Sequence, residues 1–146
     1  MVTTAAHLPE RVISGAYILH SGLEKRNASA ETAAALHGMA SQAYPFLREI
    51  PAPEFVRLLS AAEIAIGAAL LTPLVSDKLA GMKLTAFAAG LLGLYARLPG
   101  VRQPGSIWPT DQGTGLAKDV FLLGIGLSLL IAGNGRKKRK KKAKRR

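Results

Sequence analysis

Long apolar segments, separated by short polar or proline-containing stretches, dominate the chain. Residues 58–75 and 79–96 are each 18 residues long and carry one charge apiece, Glu63 and Lys83. Residues 120–132 carry no charge at all. At about 1.5 Å per residue, such an 18-residue helix is about 27 Å long, close to the roughly 30 Å hydrocarbon core of a bilayer. The pattern predicts membrane spans over residues 54–75, 78–97 and 113–133.

A fourth apolar segment, residues 12–23, is shorter and contains His20. It reaches a spanning length only if its helix runs from about residue 8 to residue 26. A soluble helical bundle is the alternative, because a segment of this length fits a buried core helix equally well. Helices of a soluble bundle need a broad polar face, however, and the segment 79–96 is apolar or small in every direction. We therefore predict four membrane-spanning helices.

The region between the first two predicted spans is too polar to cross a bilayer. Within it, residues 30–44 favour a helix with apolar side chains along one side, so we predict a short amphipathic helix there. Residues 98–112 are rich in Pro and Gly and form the second long loop, with Trp108 as an interfacial anchor. The predicted fold is an all-α, membrane-spanning antiparallel four-helix bundle with a short amphipathic helix in its first loop and a disordered basic C-terminal tail.

Positive charge is concentrated at the C-terminus. The formal net charge is +11, yet ten of the 20 Lys and Arg residues lie in residues 136–146, while residues 1–135 hold ten basic and nine acidic residues. A nucleic-acid-binding face needs its charge on a folded surface, so we do not expect the body of the protein to bind nucleic acid. We predict that the tail contacts anionic lipid headgroups through Arg136, Lys137, Lys138, Arg139, Lys140, Lys141, Lys142, Lys144, Arg145 and Arg146.

The tail also decides the predicted orientation. Moving ten positive charges across a bilayer is prohibitive, whereas each Lys or Arg near anionic cytoplasmic lipid gains about 1 kcal/mol. The body alone favours the opposite orientation, with three Lys or Arg residues inside and seven outside. Counting the tail reverses that balance, so we expect both termini in the cytoplasm. Nonspecific binding of RNA or DNA is the alternative role for the tail.

The amino-acid composition excludes several kinds of redox and metal chemistry. The chain has no cysteine, which excludes thiol–disulfide exchange, iron–sulfur ligation and cysteine-based zinc sites. His7 and His37 lie outside the predicted spans, so we interpret His20 as a hydrogen-bonded packing residue rather than a metal or haem ligand. We predict no metal site, no catalytic residue and no evident cofactor, with a quinone as the one cofactor left open.

Small residues recur at helical spacing inside the predicted spans. In lipid, the close approach of backbones along small residues is a main source of helix association. We interpret these rows as packing seams, with a substrate groove as the alternative. The predicted packing residues are Gly81, Thr85, Ala89, Gly93, Gly126 and Gly133, and further rows occur at Ala61, Ala65 and Ala69 and at Gly15 and Gly22.

Glu63 is the most informative polar residue of the predicted spans. It has no basic residue within one helical turn, so its partner must come from another helix. The candidates are Arg97, Lys118 and His20. A charge in a span costs about 2.5 to 3.5 kcal/mol and normally faces the protein interior. Glu63 therefore either binds a ligand or relays a proton in an outward-facing polar pocket, or forms an interhelical ion pair. The predicted polar network comprises Glu63, His20, Arg57, Tyr95, Arg97, Lys118 and Asp119.

Two segments resemble a known family of membrane proteins. Residues 11–25, RVISGAYILHSGLEK, carry an Arg, a Gly four residues later, a second Gly seven residues beyond it and then a Lys. Residues 61–71, AAEIAIGAALL, carry a Glu followed four residues later by Gly and then by leucines. They resemble the first-helix and second-helix signatures of DoxX-like membrane proteins, and the resemblance covers about residues 8–133. The matching positions are Arg11, Gly15, Gly22, Lys25, Glu63 and Gly67.

The resemblance implies a bacterial four-helix membrane protein with both ends in the cytoplasm and a link to redox chemistry. Relatives in that family include a subunit of a thiosulfate:quinone oxidoreductase and a partner of sulfurtransferase and superoxide dismutase in actinobacteria. We therefore expect a non-catalytic membrane subunit or assembly partner of an envelope redox or oxidative-stress system, with a membrane or redox protein as partner and self-association left open. The alternative is a small transporter or binding protein for a quinone, lipid or other small molecule, using the pocket around Glu63.

Overall fold

The protein is helical in the computed structural model, which describes residues 5–143, with side chains through Asn134. The helices are α1 (Leu8–Arg26), α2 (Ala30–Ala43), α3 (Ala52–Leu71), α4 (Asp77–Arg97), α5 (Thr114–Ala117) and α6 (Asp119–Ala143). One 3-10 turn, Ala5–His7, precedes α1, and a second, Pro45–Glu49, separates α2 from α3. No strand occurs among the described residues, which confirms the predicted all-α class.

Helix α3 begins and ends earlier than the predicted span of 54–75. Pro53 lies in its first turn, where the missing N–H of proline would have had no partner within the helix, so α3 starts at Ala52. Its end is imposed by Pro73, because the residue before a proline is driven out of the helical region. Thr72 is accordingly extended, with φ −84° and ψ 116°. The turn to α4 therefore spans residues 72–76.

Serine side chains cap the N-termini of two of the helices. Ser29 Oγ accepts a hydrogen bond from Thr32 N at 3.1 Å at the start of α2, and Ser76 Oγ accepts one from Leu79 N at 3.3 Å at the start of α4. Each bond satisfies one N–H group that a first turn otherwise leaves unpaired. Helix α2 ends at Ala43 and matches the short helix predicted over residues 30–44.

The last predicted span, 113–133, differs from the structure at both ends. A single turn, α5, is followed by a break at Lys118, and α6 then continues through Ala143. The predicted helix end at Gly133 and the predicted disorder from residue 136 are therefore wrong for the backbone up to Ala143. A glycine costs only about 1 kcal/mol in an established helix, and the Lys and Arg residues that follow are good helix formers.

The long helices pack as two pairs. In the first pair, Gly15 of α1 lies against Leu70 of α3, and Gly22 lies against Glu63, so the two helices run antiparallel. A Cβ on Gly67 would lie 2.7 Å from the backbone of α1, closer than real Cβ atoms approach. Glycine at this position lets the two backbones touch.

Helices α4 and α6 form the second pair. Gly81 faces the backbone of Gly126, and Gly126 lies against Thr85. Gly133 lies against Lys78, near the start of α4. Later residues of α4 therefore contact earlier residues of α6, so these two helices are also antiparallel.

The small-residue row predicted along α4 does not form one seam. Gly81 and Thr85 face α6, but Ala89 is exposed and Gly93 faces Tyr44. Each step of four residues changes the direction of the side chain by about 40° around the helix axis, so the four residues of this row face different neighbours. Of the predicted row, only Gly81 and Thr85 therefore contribute to the contact between α4 and α6.

One apolar cluster joins the two helix pairs. Its buried members come from α1, α3, α4 and α6 and are Ile18, Ile66, Leu70, Ala80, Leu84, Ala88, Leu122 and Leu129. A second cluster packs α2 against the end of α4 and the loop that follows, through Ala40, Ala43, Leu94, Leu98 and Val101. The second cluster places α2 across the ends of the long helices.

Two helical segments are long and apolar enough to cross a membrane. They are α4, with a mean hydropathy of 1.4, and residues 114–134, which include α5 and most of α6, with a mean hydropathy of 1.8. Helix α1 carries five charged residues, against four in α4 and two in residues 114–134. This composition is consistent with association of the protein with a membrane.

Candidate functional site

A cavity of about 470 Å³ lies between the two helix pairs, beneath α2. Cavities of this volume are large enough for a small-molecule ligand. Residues from α1, α2, α3, α4, α5 and α6 all line it. Its walls are mainly apolar and include Leu36, Met39, Leu47, Phe87, Leu91 and Leu122.

Glu63 is a buried carboxylate in the wall of this cavity, only 4% exposed. Lys25 Nζ lies 3.1 Å from Glu63 Oε2 and donates a hydrogen bond to Ser21 Oγ at 2.6 Å. Glu63 Oε2 accepts no aligned hydrogen bond from any residue that the structure describes. The ion pair therefore leaves a buried oxygen that can accept a hydrogen bond from a bound molecule.

The cation beside Glu63 is Lys25 and none of the three candidates predicted from the sequence. The reason lies in how α1 packs on α3. Gly22 touches Glu63 Cβ, and Lys25 follows Gly22 by three residues on the same helix face. Ser60 Oγ also donates a hydrogen bond to Gly22 O at 2.7 Å, which holds the two helices in this register.

Asp119 is a second buried carboxylate in the cavity wall, 7% exposed. It is the first residue of α6, where the helix dipole favours a negative charge. The neighbouring Lys118 is exposed, and its Nζ lies 5.4 Å from the centre of the Tyr17 ring in a cation–π contact. Glu63, Lys118 and Asp119 of the predicted network thus line one cavity together with Lys25.

Contacts at the end of α2 hold that helix over the cavity. Tyr44 donates a hydrogen bond from its hydroxyl to Gly90 O of α4 at 2.8 Å, and the Arg97 guanidinium lies 5.0 Å from the centre of the Tyr44 ring. On the other side, the His37 ring meets the Phe55 ring of α3 edge-on, with 5.5 Å between their centres. Helix α2 is therefore tied both to α3 and to α4.

The remaining members of the predicted polar network lie elsewhere. His20 is exposed, and its Nε2 lies 3.4 Å from Glu24 Oε1 on its own helix. Arg57 is exposed, and Tyr95 donates a hydrogen bond to Ile107 O at 2.6 Å. Arg97 contacts Tyr44 as described above. The predicted network therefore divides, since a helix that packs only one side against its neighbours directs its other side chains outward.

Arg11 has a structural role that sequence reasoning missed. Its side chain is buried, and its guanidinium donates to the carbonyls of Ala69, Leu70 and Thr72 at the end of α3, at 2.8 to 2.9 Å. It also donates to Val75 O at 3.0 Å and to Asp77 Oδ1 at 2.8 Å. These five bonds use all five guanidinium N–H groups. The signal was present in the sequence, because a lone Arg beside an apolar segment needs buried acceptors.

Two further predictions concern the lipid-contacting cations and metal binding. The side chains of the predicted lipid-contacting cations, Arg136 to Arg146, lie outside the described residues. Within the described part of the chain, no group of three or more His, Asp or Glu side chains is arranged to hold a metal ion.

Comparison of the chain with family models, curated proteins and solved structures finds no match. The DoxX-like resemblance therefore stays a prediction from the residues that carry it.

Proposed function

We propose that this chain is a multi-pass membrane protein of the DoxX-like type that binds a small amphipathic molecule in the cavity beside Glu63. In this proposal α1, α3, α4 and α6 cross the bilayer as an antiparallel four-helix bundle, with α2 at the outer end and both termini in the cytoplasm. The observation that carries the proposal is the cavity itself, whose mainly apolar wall contains a buried carboxylate paired with Lys25.

The exterior of the four long helices supports the membrane assignment. Large apolar side chains are exposed on every one of them: Val12, Ile13, Tyr17 and Leu23 on α1, Leu58 and Leu71 on α3, Leu79 and Met82 on α4, and Val120, Phe121, Leu127 and Ile131 on α6. Water-soluble monomers rarely expose an apolar surface of this extent. Lipid is the solvent that such a surface favours.

Helix α3 fits this interpretation although it carries three charged residues, Glu54, Arg57 and Glu63. Between residues 58 and 71 its exposed positions hold only Leu and Ala, whereas Ser60 and Glu63 are buried. Glu63 is paired with Lys25 inside the protein. A membrane span tolerates an ionisable side chain that faces the bundle interior and has a partner there.

The loop between α4 and α5 supports the proposed orientation. Ile107 and Trp108 at its tip are 78% and 68% exposed. Exposed tryptophan is typical of the membrane–water interface. This loop and α2 lie at the end of the helices opposite the polybasic segment, so cationic residues on the cytoplasmic side leave both of them outside.

Ligand binding follows from the chemistry of the cavity walls. A molecule with an apolar body gains by contact with the Leu, Met and Phe side chains under α2, since few polar groups there need water. Its polar end is directed towards the charged groups of the lining, which are Lys25, Glu63, Lys118 and Asp119. The cavity therefore favours amphipathic molecules over wholly polar or wholly apolar ones.

A second candidate function is a membrane subunit that packs against another protein. The observation that favours it lies on α3, where Ala61 and Ala65 of the predicted small-residue row are exposed rather than packed against α1. Small residues on a lipid-facing surface let another helix approach closely. A redox partner of the kind that the DoxX-like resemblance implies, or a second copy of this chain, would dock there.

A cavity-filling substitution tests the proposed function. Gly90 lines the cavity, and an added Cβ would meet no atom within 4 Å, so Gly90→Phe fills the cavity without a backbone clash. Gly124 has equally open surroundings but does not line the cavity, which makes Gly124→Phe the matched control. The measurement is the amount of small molecule that copurifies per folded chain in mild detergent, determined by mass spectrometry.

We expect about one bound molecule per chain in the wild-type protein and in Gly124→Phe, and a loss of several-fold in Gly90→Phe. Equal retention by all three proteins would contradict binding in the cavity. The second candidate predicts a different result, in which Ala65→Trp releases a copurifying protein while Gly90→Phe retains it.

A further inference from the structure

The two carboxylates in the wall of the cavity are buried more deeply than its two lysines. Glu63 and Asp119 are both buried carboxylates. Of the two lysines that line the cavity, Lys25 is paired with Glu63, and Lys118 is exposed with its Nζ over the Tyr17 ring. The positive and negative charges of the lining are therefore equal in number, but the deeply buried ones are the two carboxylates.

Glu63 adds a second requirement, which concerns hydrogen bonding. Its Oε2 atom is shielded from solvent and accepts no hydrogen bond from the described residues, although Lys25 Nζ is only 3.1 Å away. A buried carboxylate oxygen that lacks an aligned donor carries a desolvation cost, which the ion pair with Lys25 offsets only in part. A ligand that donates a hydrogen bond at this point removes that cost.

We propose that the cavity binds an amphiphile whose head is a protonated amine and whose body is a short apolar chain or ring. This inference rests on the proposed function and specifies its ligand class. The ammonium group donates a hydrogen bond to Glu63 Oε2 and places a positive charge beside the two buried carboxylates, Glu63 and Asp119. The apolar body lies against the side chains of α2 and α4.

Other head groups meet only part of these requirements. An alcohol supplies a donor but no charge, so it adds nothing to the electrostatic stabilisation of the two buried carboxylates. A carboxylate or phosphate head supplies neither and adds a third negative charge beside two buried ones. Charge-assisted hydrogen bonds are also roughly twice as strong as neutral ones, which favours the ammonium over the hydroxyl.

Three probes with the same 12-carbon chain test the inference: dodecylamine hydrochloride, 1-dodecanol and sodium laurate. Each is titrated against the full-length, delipidated protein in a non-ionic detergent, and the bound fraction is measured by native mass spectrometry. We expect dodecylammonium to bind about ten-fold more tightly than dodecanol, with laurate weakest of the three.

Charge-removing variants show whether the preference arises at this site. In Glu63→Gln and in Asp119→Asn, dodecylammonium should lose most of its advantage over dodecanol. Two variants are used because either one alone could fail to fold. Glu54→Gln removes an exposed carboxylate of the same helix that does not line the cavity, and it should keep the wild-type preference.

The outcomes separate this inference from the proposed function. Laurate binding as tightly as dodecylammonium, or an ammonium preference that persists in both variants, overturns the amine assignment while binding itself still supports an amphiphile site. Failure of all three probes to bind wild-type protein, with retention in Gly90→Phe equal to that in Gly124→Phe, overturns both.

Discussion

Arg11 Nη1 donates a hydrogen bond to Asp77 Oδ1 at 2.8 Å, which joins the start of α1 to the start of α4. Both side chains are 1% exposed. The other N–H groups of Arg11 bind carbonyls at the end of α3 and in the turn that follows. A single side chain therefore satisfies the C-terminal carbonyls of one helix and ties it to two others.

Replacing Arg11 with Met should destabilise the protein by about 3 to 5 kcal/mol, because the substitution leaves a buried carboxylate without its arginine and the end of α3 without donors. The measurement is a denaturant titration of the purified protein in detergent. Arg26→Met is the control, since Arg26 is exposed at the end of α1 and should change stability by no more than about 0.5 kcal/mol. Equal stabilities of the two variants would show that the Arg11 contacts contribute nothing.

Gly67→Val should weaken the pairing of α1 with α3. An added Cβ would lie 2.7 Å from the backbone of α1, so the helices must separate, at a cost of about 1 to 3 kcal/mol. Gly124→Val on α6 is the matched control, because a Cβ there meets nothing within 4 Å. Thermal unfolding in detergent compares the two variants, and a loss of stability in the control as large as in Gly67→Val would refute the packing explanation.

Tyr44→Phe should loosen α2 from the cavity. The change removes the hydrogen bond from the Tyr44 hydroxyl to Gly90 O, worth about 1 kcal/mol, so amide exchange in α2 should accelerate roughly five-fold. Tyr95→Phe removes a similar bond, to Ile107 O, and should accelerate exchange in the loop 98–113 instead. Hydrogen–deuterium exchange detected by mass spectrometry distinguishes the two patterns, and unchanged exchange in α2 of Tyr44→Phe would contradict the prediction.

Single cysteines can establish the membrane topology, because the chain has none of its own. In the proposed orientation a membrane-impermeant maleimide labels Ile107→Cys in intact cells, but labels Leu74→Cys, in the turn between α3 and α4, only after permeabilisation. Both positions are well exposed, at 78% and 80%. The reverse labelling pattern would invert the proposed topology.

Removal of residues 136–146 should then allow a fraction of the molecules to insert in the opposite orientation, because the remaining charges favour it. The same two cysteines measure that fraction in the truncated protein. A single unchanged topology after truncation would mean that the tail does not decide the orientation.

Most of the helix positions were predictable from the sequence, and the physical reason is local. The starts of α1 and α2 follow from the lengths of the apolar and helix-favouring segments. The predicted end of α3 at residue 75 was wrong by four residues, although the effect of Pro73 on Thr72 acts between neighbouring residues. The continuation of α6 past Gly133 was missed, because helix propagation through good helix formers outweighs a glycine that would favour an end.

The candidate site was predictable only in its central residue. An isolated Glu63 in an apolar segment marks a buried polar site, because lipid offers a carboxylate no partner. The partner could not be predicted, since Lys25 and Glu63 are far apart in sequence and meet only when Gly22 brings α1 against α3. Likewise, Arg97 was placed correctly on α4 but contacts Tyr44 rather than Glu63.

The sequence by itself determined where the chain is helical, which segments are apolar and which carboxylate had to find a partner, because these properties depend on residue type and short-range spacing. Only the tertiary structure decided that Lys25 pairs with Glu63, that Asp119 joins them, that Arg11 closes the end of α3 and that α2 covers a cavity. Those relationships depend on the rotation and offset of each helix against its neighbour, which close contacts at glycines set across long stretches of sequence.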